Sequence, residues 1–446
     1  MMVVQVAAFA LPLKDVLNRI DQTSGVRSAE LAVDEARTNL NRLGFAGDFS
    51  LAIAPQAKAT TEFVAAFPEQ TDIGATITAK IPVGLSDSAQ LQLRQAAENL
   101  RTAEQKLVQA RDNAYVEVYG LFVQAWLVQR EQEVLQAELE GARTYAAALE
   151  SQFQAGKVSL VELTTANDDL RRKETASTQG ELSRRLTWLK LADQVQLPFT
   201  PDTPNLDLDP ASKVLRDLPL PPELINRAVV GNPDLNAIRS GMDGIEAQIA
   251  ILGRPDLTTT LQVFGGAADH SVSLAYLIQQ PQLSAAYSFP LYSSGSIPGN
   301  NAANLSDTWN IGVGFSLSFG GAKGNSLESA TLQVQRAQDA QKLDLLRRSL
   351  ELEIRSRYQE WLAATQETRQ ARDGLSRAEK NSAIVTSRRT LGLASDYEVP
   401  QATALLKRAE FSLLAAESAE RIKLLSAANI AGYLTSVVPE IKKGEK

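Results

Sequence analysis

Two stretches, AGKVSLVEL at Ala155–Leu163 and LGLASDYEV at Leu391–Val399, interrupt long helix-like sequence with the same punctuation. Each has a Gly, a Ser three residues on, and a Glu three residues after that. Gly156, Ser159 and Glu162 answer to Gly392, Ser395 and Glu398 at a constant offset of 236. Glycine tolerates the left-handed conformation that ends a helix. Serine followed three residues later by glutamate is a capping box, which starts the next one. The short step between them makes a tight reversal, so each motif reads as the tip of a helical hairpin. Pro400 falls about one turn inside the helix that Ser395 would start, and a small distortion is expected there.

The turns sit inside larger repeats. The same offset pairs Ala166 with Ala402, Leu170 with Leu406, Arg172 with Arg408, Glu174 with Glu410 and, further back, Gly84 with Gly320. QAWL at Gln124 matches QEWL at Gln359, offset by 235. The chain therefore reads as an internal duplication, with repeats at 11–196 and 222–436. A Pro-rich connector at 197–221 separates them and a tail follows at 437–446. Prolines remove donors and stop helices, so the connector is expected to be extended.

Helical segments are expected at about 14–43, 87–154 and 159–196, and again at about 222–254, 325–391 and 395–434. At 1.5 Å per residue the second is about 100 Å long, too long for a globular core. Two shorter helices stacked end to end can lie antiparallel along one long one. Leu93, Leu100, Leu107, Ala114, Leu121, Val128, Leu135, Ala142 and Leu149 recur at intervals of seven. That is a coiled-coil stripe, which stays on its partner by left-handed supercoiling.

Between the helices the period changes to two. Ile73, Ala75, Ile77, Ala79, Ile81 and Val83 alternate with small and polar residues, as do Ile311, Val313, Phe315, Leu317 and Phe319. FSLAI from Phe49 and LTTTLQV from Leu257 are weaker partners, giving strands at about 47–84 and 257–319. Apolar residues on one face and Gly, Ser or Thr on the other suit a strand between lipid and water. SVSLAYLI and QLSAAYSF also alternate. They are read as a continuation of the third strand plus an external loop, which leaves two strands per repeat. Such a sheet has open edges, which lipid does not permit. Several chains must then share one β-barrel.

Bulk composition excludes much else. The net charge is −7 without clustered Lys or Arg, which argues against a nucleic-acid surface. The absence of Cys excludes disulfides and thiolate chemistry, and the lone His270 excludes any site needing two imidazoles. His270 itself is read as a loop or interface residue. No apolar run is long enough for a membrane helix. No nucleophile–base pair or metal cluster is legible, so neither an enzyme nor a cofactor is expected. GGAKGNS at Gly320 lacks the phosphate-loop order and reads as a strand-to-helix corner. Residues 1–10 are apolar and end in Ala8-Phe9-Ala10. They suit the remnant of an export signal, or a plain apolar terminus.

Duplicated units of helix, strand pair, long helix, Gly-turn and helix resemble the TolC family of outer-membrane efflux channels. The specific element is the Gly-x-x-Ser turn with its acidic residue and following helix, at Gly156–Glu174 and Gly392–Glu410. The resemblance implies an α+β membrane protein. Long antiparallel helical hairpins would form a coiled-coil α-barrel, and strand pairs would form a transmembrane β-barrel shared between protomers. It further implies a homotrimer in outer-membrane lipid with a helical tunnel in the periplasm. Such a channel is a passive exit duct docked to a periplasmic adaptor and an inner-membrane transporter. By the same resemblance Glu398 and Gln401 fall at the pore aperture, although Gln401 is uncharged where the family has a second acid. Gly156, Lys157, Ser159, Glu162, Gly392, Ser395 and Asp396 fall at the turns that would contact the adaptor. A ring of three Glu398 would raise at least one carboxyl pKa and attract cations. Glu398 equally serves to cap its helix. The alternative reading is a non-transporting, envelope-spanning coiled-coil scaffold.

Overall fold

A computed structural model describes residues 10–44, 50–60, 70–82, 87–197, 204–208, 218–252, 256–267, 270–277, 282–294, 310–320, 322–395 and 397–434. Residues 1–9 of the leader expected at 1–10 lie outside these residues, as do Val83, Gly84, Asp396 and the tail, while Ala10 is described. The described chain is mostly helical. Two helices dominate, α3 (Asp87–Gln154) and α7 (Ala322–Thr390), and they are followed by α4 (Leu160–Gln194) and α8 (Glu398–Ile430).

The helices expected at about 14–43 and 222–254 are each broken where a single helix is expected. The first is α1 (Leu13–Leu17), a 3-10 turn (Ile20–Gln22) and α2 (Ser24–Gly44). Thr23 forces the break. Its backbone is extended at φ −64°, ψ 145°, and its buried hydroxyl donates to the Ile20 carbonyl at 2.7 Å. The second is α5 (Pro221–Gly231) followed by α6 (Pro233–Leu252). Asn232 between them accepts at Oδ1 from the N–H groups of Asp234 and Leu235, both at 3.0 Å. It is an N-cap, and Pro233 takes the first helical position, where no N–H is needed.

Part of the connector is extended, as expected. Strand β4 (Asn205–Asp207) pairs in parallel with β1 (Ala10–Pro12). The Gln129 side chain on α3 reads this strand. Its Oε1 accepts from the Leu206 N–H at 3.0 Å, and its Nε2 donates to Asn205 Oδ1.

Two compact units divide the chain. One comprises Met1–Ala32, Glu104–Leu235 and Leu345–Lys446, and holds both hairpin turns. Its core is apolar, with Val16, Val118, Phe122, Val123, Leu191, Leu224, Leu425 and Leu434 fully buried. The seven-residue stripe on α3 is buried only at Ala114 and Leu149 in this unit. The deepest α3 residues, Val118 to Trp126, lie beside that stripe.

The other unit, Val33–Ala103 and Asn236–Asp344, carries one six-stranded sheet. Its strands are β2 (Ser50–Thr60), β3 (Gln70–Pro82), β5 (Asp256–Ala267), β6 (His270–Leu277), β7 (Gln282–Ser294) and β8 (Asn310–Gly320). The order is β2-β3-β7-β6-β5-β8, every pair antiparallel. This corrects the four-strand count. Ser271–Leu277 and Gln282–Phe289 lie in β6 and β7, which stand between β3 and β5, and His270, read as a loop or interface residue, opens strand β6.

Register carries the apolar alternation across the sheet. Ile53, Ile77, Tyr287, Val272, Gly265 and Ile311 form one cross-strand row on one face. Leu51, Ala79, Ala285, Leu274, Val263 and Val313 form the next row on that face. The opposite face takes Ala54, Thr76, Ser288, Ser271, Gly266 and Asn310. Val272 is 47% exposed, Leu274 43% and Tyr287 41%, so the apolar face is open at these positions. The sheet is open, with β2 and β8 at its edges.

Candidate functional site: the paired hairpin turns

Both helix ends close identically. Gly156 has φ +71° and Gly392 φ +70°. At the first turn the N–H of Gly156 donates to Phe153 O at 2.9 Å and that of Lys157 to Gln152 O at 2.8 Å. At the second, Gly392 donates to Arg389 O at 2.9 Å and Leu393 to Arg388 O at 2.8 Å. These paired bonds make a Schellman motif, which satisfies carbonyls that a helix end leaves open.

The restarts differ. Ser159 is a full capping box: its Oγ accepts from the Glu162 N–H at 3.3 Å, and its own N–H donates to Glu162 Oε2 at 2.7 Å. Ser395 makes only half of one. Its N–H and hydroxyl donate to Glu398 Oε1 at 3.1 and 2.8 Å, but the Glu398 N–H goes to the Ser395 carbonyl at 3.1 Å. Helix α8 therefore starts at Glu398, three residues later than expected, after Tyr397 at φ −84°, ψ −20°. Pro400 explains the delay. The late start places it third in the helix, where its missing N–H breaks no bond, so no distortion inside the helix is needed.

An arginine distinguishes the second turn. Arg388 Nη2 donates to the Leu393 carbonyl at 3.0 Å, and Nη1 lies 3.5 Å from Glu398 Oε2. Gln152 holds the corresponding place before Gly156. The Ser395 hydroxyl, its N–H and then Arg388 hold the Glu398 carboxyl below the usual carboxylate range. The Ser159 N–H and hydroxyl do the same for Glu162. Within one chain Glu398 is thus kept ionised and partly neutralised.

Tyr145 brings the turns together. Its ring stands 5.0 Å from that of Tyr397, and it also packs on the cluster of Ala146, Leu149, Leu163 and Ala166 behind the first turn. Lys157 and Gln401 are exposed, and so are the apolar side chains of Leu160, Val161, Leu391 and Leu393.

Further along the same unit, Glu138 on α3 joins both hairpins. It accepts from Lys173 Nζ of α4 at 2.9 Å and from Arg408 Nε of α8 at 2.8 Å. Arg408 also reaches Glu131 at 3.4 Å. Neither this hub, nor Arg388, nor the Tyr145–Tyr397 pair was singled out by sequence reasoning. Each joins residues whose separation in sequence carries no periodic signal.

No family model matches the chain, and no curated relative matches it. Solved structures do. CusC, studied for its folding and transmembrane channel formation, matches with a TM-score of 0.64 at 13% identity, over 94% of this chain and 91% of that one. The outer membrane protein VceC of Vibrio cholerae matches with a TM-score of 0.62 at 16% identity, over 95% and 96% of the two chains. The CmeC outer membrane channel of Campylobacter jejuni matches with a TM-score of 0.60 at 14% identity, over 97% and 89%. The chain thus has the fold of outer-membrane channels, and its resemblance to the TolC family holds at the level of fold.

Proposed function

We propose that the chain is one protomer of a homotrimeric outer-membrane channel, the passive exit duct of a tripartite efflux or type I secretion system. One observation carries the reading: an open six-stranded sheet with a continuous apolar face, in a chain matched nearly end to end by outer-membrane channels. A bare apolar sheet face with two free edges is stable only if lipid covers the face and other strands pair with the edges. Copies of the chain supply those strands by closing a β-barrel.

The helical unit forms the periplasmic tunnel, and the paired turns form its inner end. Gly156, Lys157, Ser159, Glu162, Gly392, Ser395 and Asp396 make the edge that meets a periplasmic adaptor. Exposed Leu160, Val161, Leu391 and Leu393 offer apolar contacts there. Glu398 and Gln401 face the aperture, and an inner-membrane transporter supplies the energy.

The test is purification from detergent-extracted membranes, mass measurement of the assembly, and current recording in planar bilayers. A trimer that conducts is the expected result. A well-inserted trimer that never conducts would leave the scaffold reading in its place. A water-soluble monomer would remove both.

A further inference from the structure

Given a channel, on which the wall assignment rests, the strand register also decides how the barrel is built. β7 is hydrogen-bonded to β3 along Thr71–Pro82, and β6 is bonded to β5 along Thr260–Ala267. The hairpin therefore separates β3 from β5. At one contact the Thr76 and Ser288 hydroxyls meet at 2.8 Å. The hairpin also repeats the two-faced pattern of its neighbours, with Val272, Leu274 and Tyr287 on the apolar face and Ser271, Ser273 and Ser288 on the other. A loop folded over the outside has no reason to keep that parity in register with both flanking strands.

Strand direction decides how copies join. Because every neighbouring pair is antiparallel, the edge strands β2 and β8 run in opposite directions. Each is 11 residues long. A neighbour's β2 laid against β8 continues the antiparallel alternation without a break. Full overlap sets Ser50 opposite Gly320, which puts Leu51 and Ile53 beside Phe319 and Leu317 on the apolar face. A slip of one residue would turn every side chain to the wrong face.

We infer that the β6–β7 hairpin is part of the barrel wall and that β8 of each copy pairs with β2 of the next. Each copy then gives six strands, and three copies close a barrel of eighteen. Barrels of that size leave an aqueous channel. Its lining near the hairpin carries the hydroxyls of Thr76, Thr78, Ser271, Ser273, Ser284 and Ser288, with Lys80 in the same face opposite Ser284.

Engineered cysteines test this without background, because the chain has none. The membrane oligomer is isolated and weighed first; its absence would count against the channel itself. In the inserted oligomer, Thr76→Cys with Ser288→Cys is expected to form a disulfide within one chain on mild oxidation. Lys80→Cys with Gln262→Cys is expected to form none, being three strands or roughly 14 Å apart. Ala54→Cys with Ser316→Cys is expected to link chains, giving reducible dimer and trimer bands. Gly314→Cys and Ser318→Cys in place of Ser316→Cys cover slips of two residues. A bond at Lys80 and Gln262, or none at Thr76 and Ser288, would put the hairpin outside the wall. An inserted oligomer with no inter-chain bond in any of the three registers would overturn the β8–β2 closure.

Discussion

Gly392 shows how far one residue's backbone can be read and what it costs to change. A Cβ at Gly156 or Gly392 would meet nothing within 4 Å, so φ alone penalises a side chain there. Gly156→Ala and Gly392→Ala should each destabilise their turn by about 1 kcal/mol. Gly374→Ala is the control. It also meets nothing within 4 Å but lies inside α7, so it should stabilise by roughly 0.5–1 kcal/mol. Amide hydrogen exchange at the turns, faster in the first two variants and unchanged there in the third, checks the difference. These glycines were legible because the motif is local. Arg388 was not, because its ties to Leu393 and Glu398 depend on how the turn closes. In the proposed aperture it would offset the charge of Glu398. Glu398→Ala leaves the guanidinium without its carboxylate and should move the reversal potential in a salt gradient toward anion preference. Arg388→Ala should move it toward cations. Shifts of the same sign would show that the pair does not set the local charge.

At the scale of elements, close packing of α3 on α4 depends on Gly180. A Cβ there would fall 2.6 Å from Leu135 Cδ1 and also meet Gln132, whose Nε2 donates to the Ser177 carbonyl at 3.2 Å. Gly180→Ala should cost about 1–3 kcal/mol by overpacking, despite the better helix propensity of alanine. A lower thermal midpoint of the helical circular dichroism signal checks it. The Glu138 hub gives a pH signature. Burial pushes its carboxyl pKa up, but the bonds from Arg408 and Lys173 outweigh that, and the net shift is downward. A folded pKa below the unfolded one stabilises fully above the ordinary value of 4.5, and that contribution is lost as pH falls through the folded value. Glu138→Gln should remove this acid sensitivity and cost about 2 kcal/mol at neutral pH. Thermal melts of both proteins from pH 7 downward separate the two effects. Long elements were legible: the helix expected at 87–154 is α3, residue for residue. The breaks at Thr23 and Asn232 were missed, although Gly231-Asn232-Pro233 carries a stop, a cap and a start in three residues. The hydrophobic period runs across such a break, so periodicity alone hides it.

For the whole molecule the decisive quantity in the proposed barrel is the number of strands each copy would bring to the wall. Alternation in SVSLAYLI and QLSAAYSF was visible in the sequence. Alternation alone cannot say whether a hairpin lies in a sheet or over it, because both have period two; only the pairing partners decide. Those partners make a deletion possible. Gly266 of β5 already stands opposite Asn310 of β8, so removing His270–Ser294 leaves 268–269 and 295–309 to join strand ends that are neighbours. β3 and β5 run in opposite directions, so they can pair directly once the hairpin is gone. The shortened chain should still insert, with four strands per copy and twelve in a trimer. Barrel diameter grows roughly linearly with strand number, so the bore should narrow to about two-thirds. Strands counted in axial projections by electron microscopy read this directly, whatever the state of the helical aperture. A deleted protein with an unchanged strand count would mean that β6 and β7 never belonged to the wall. The bore would then be fixed by the four remaining strands alone.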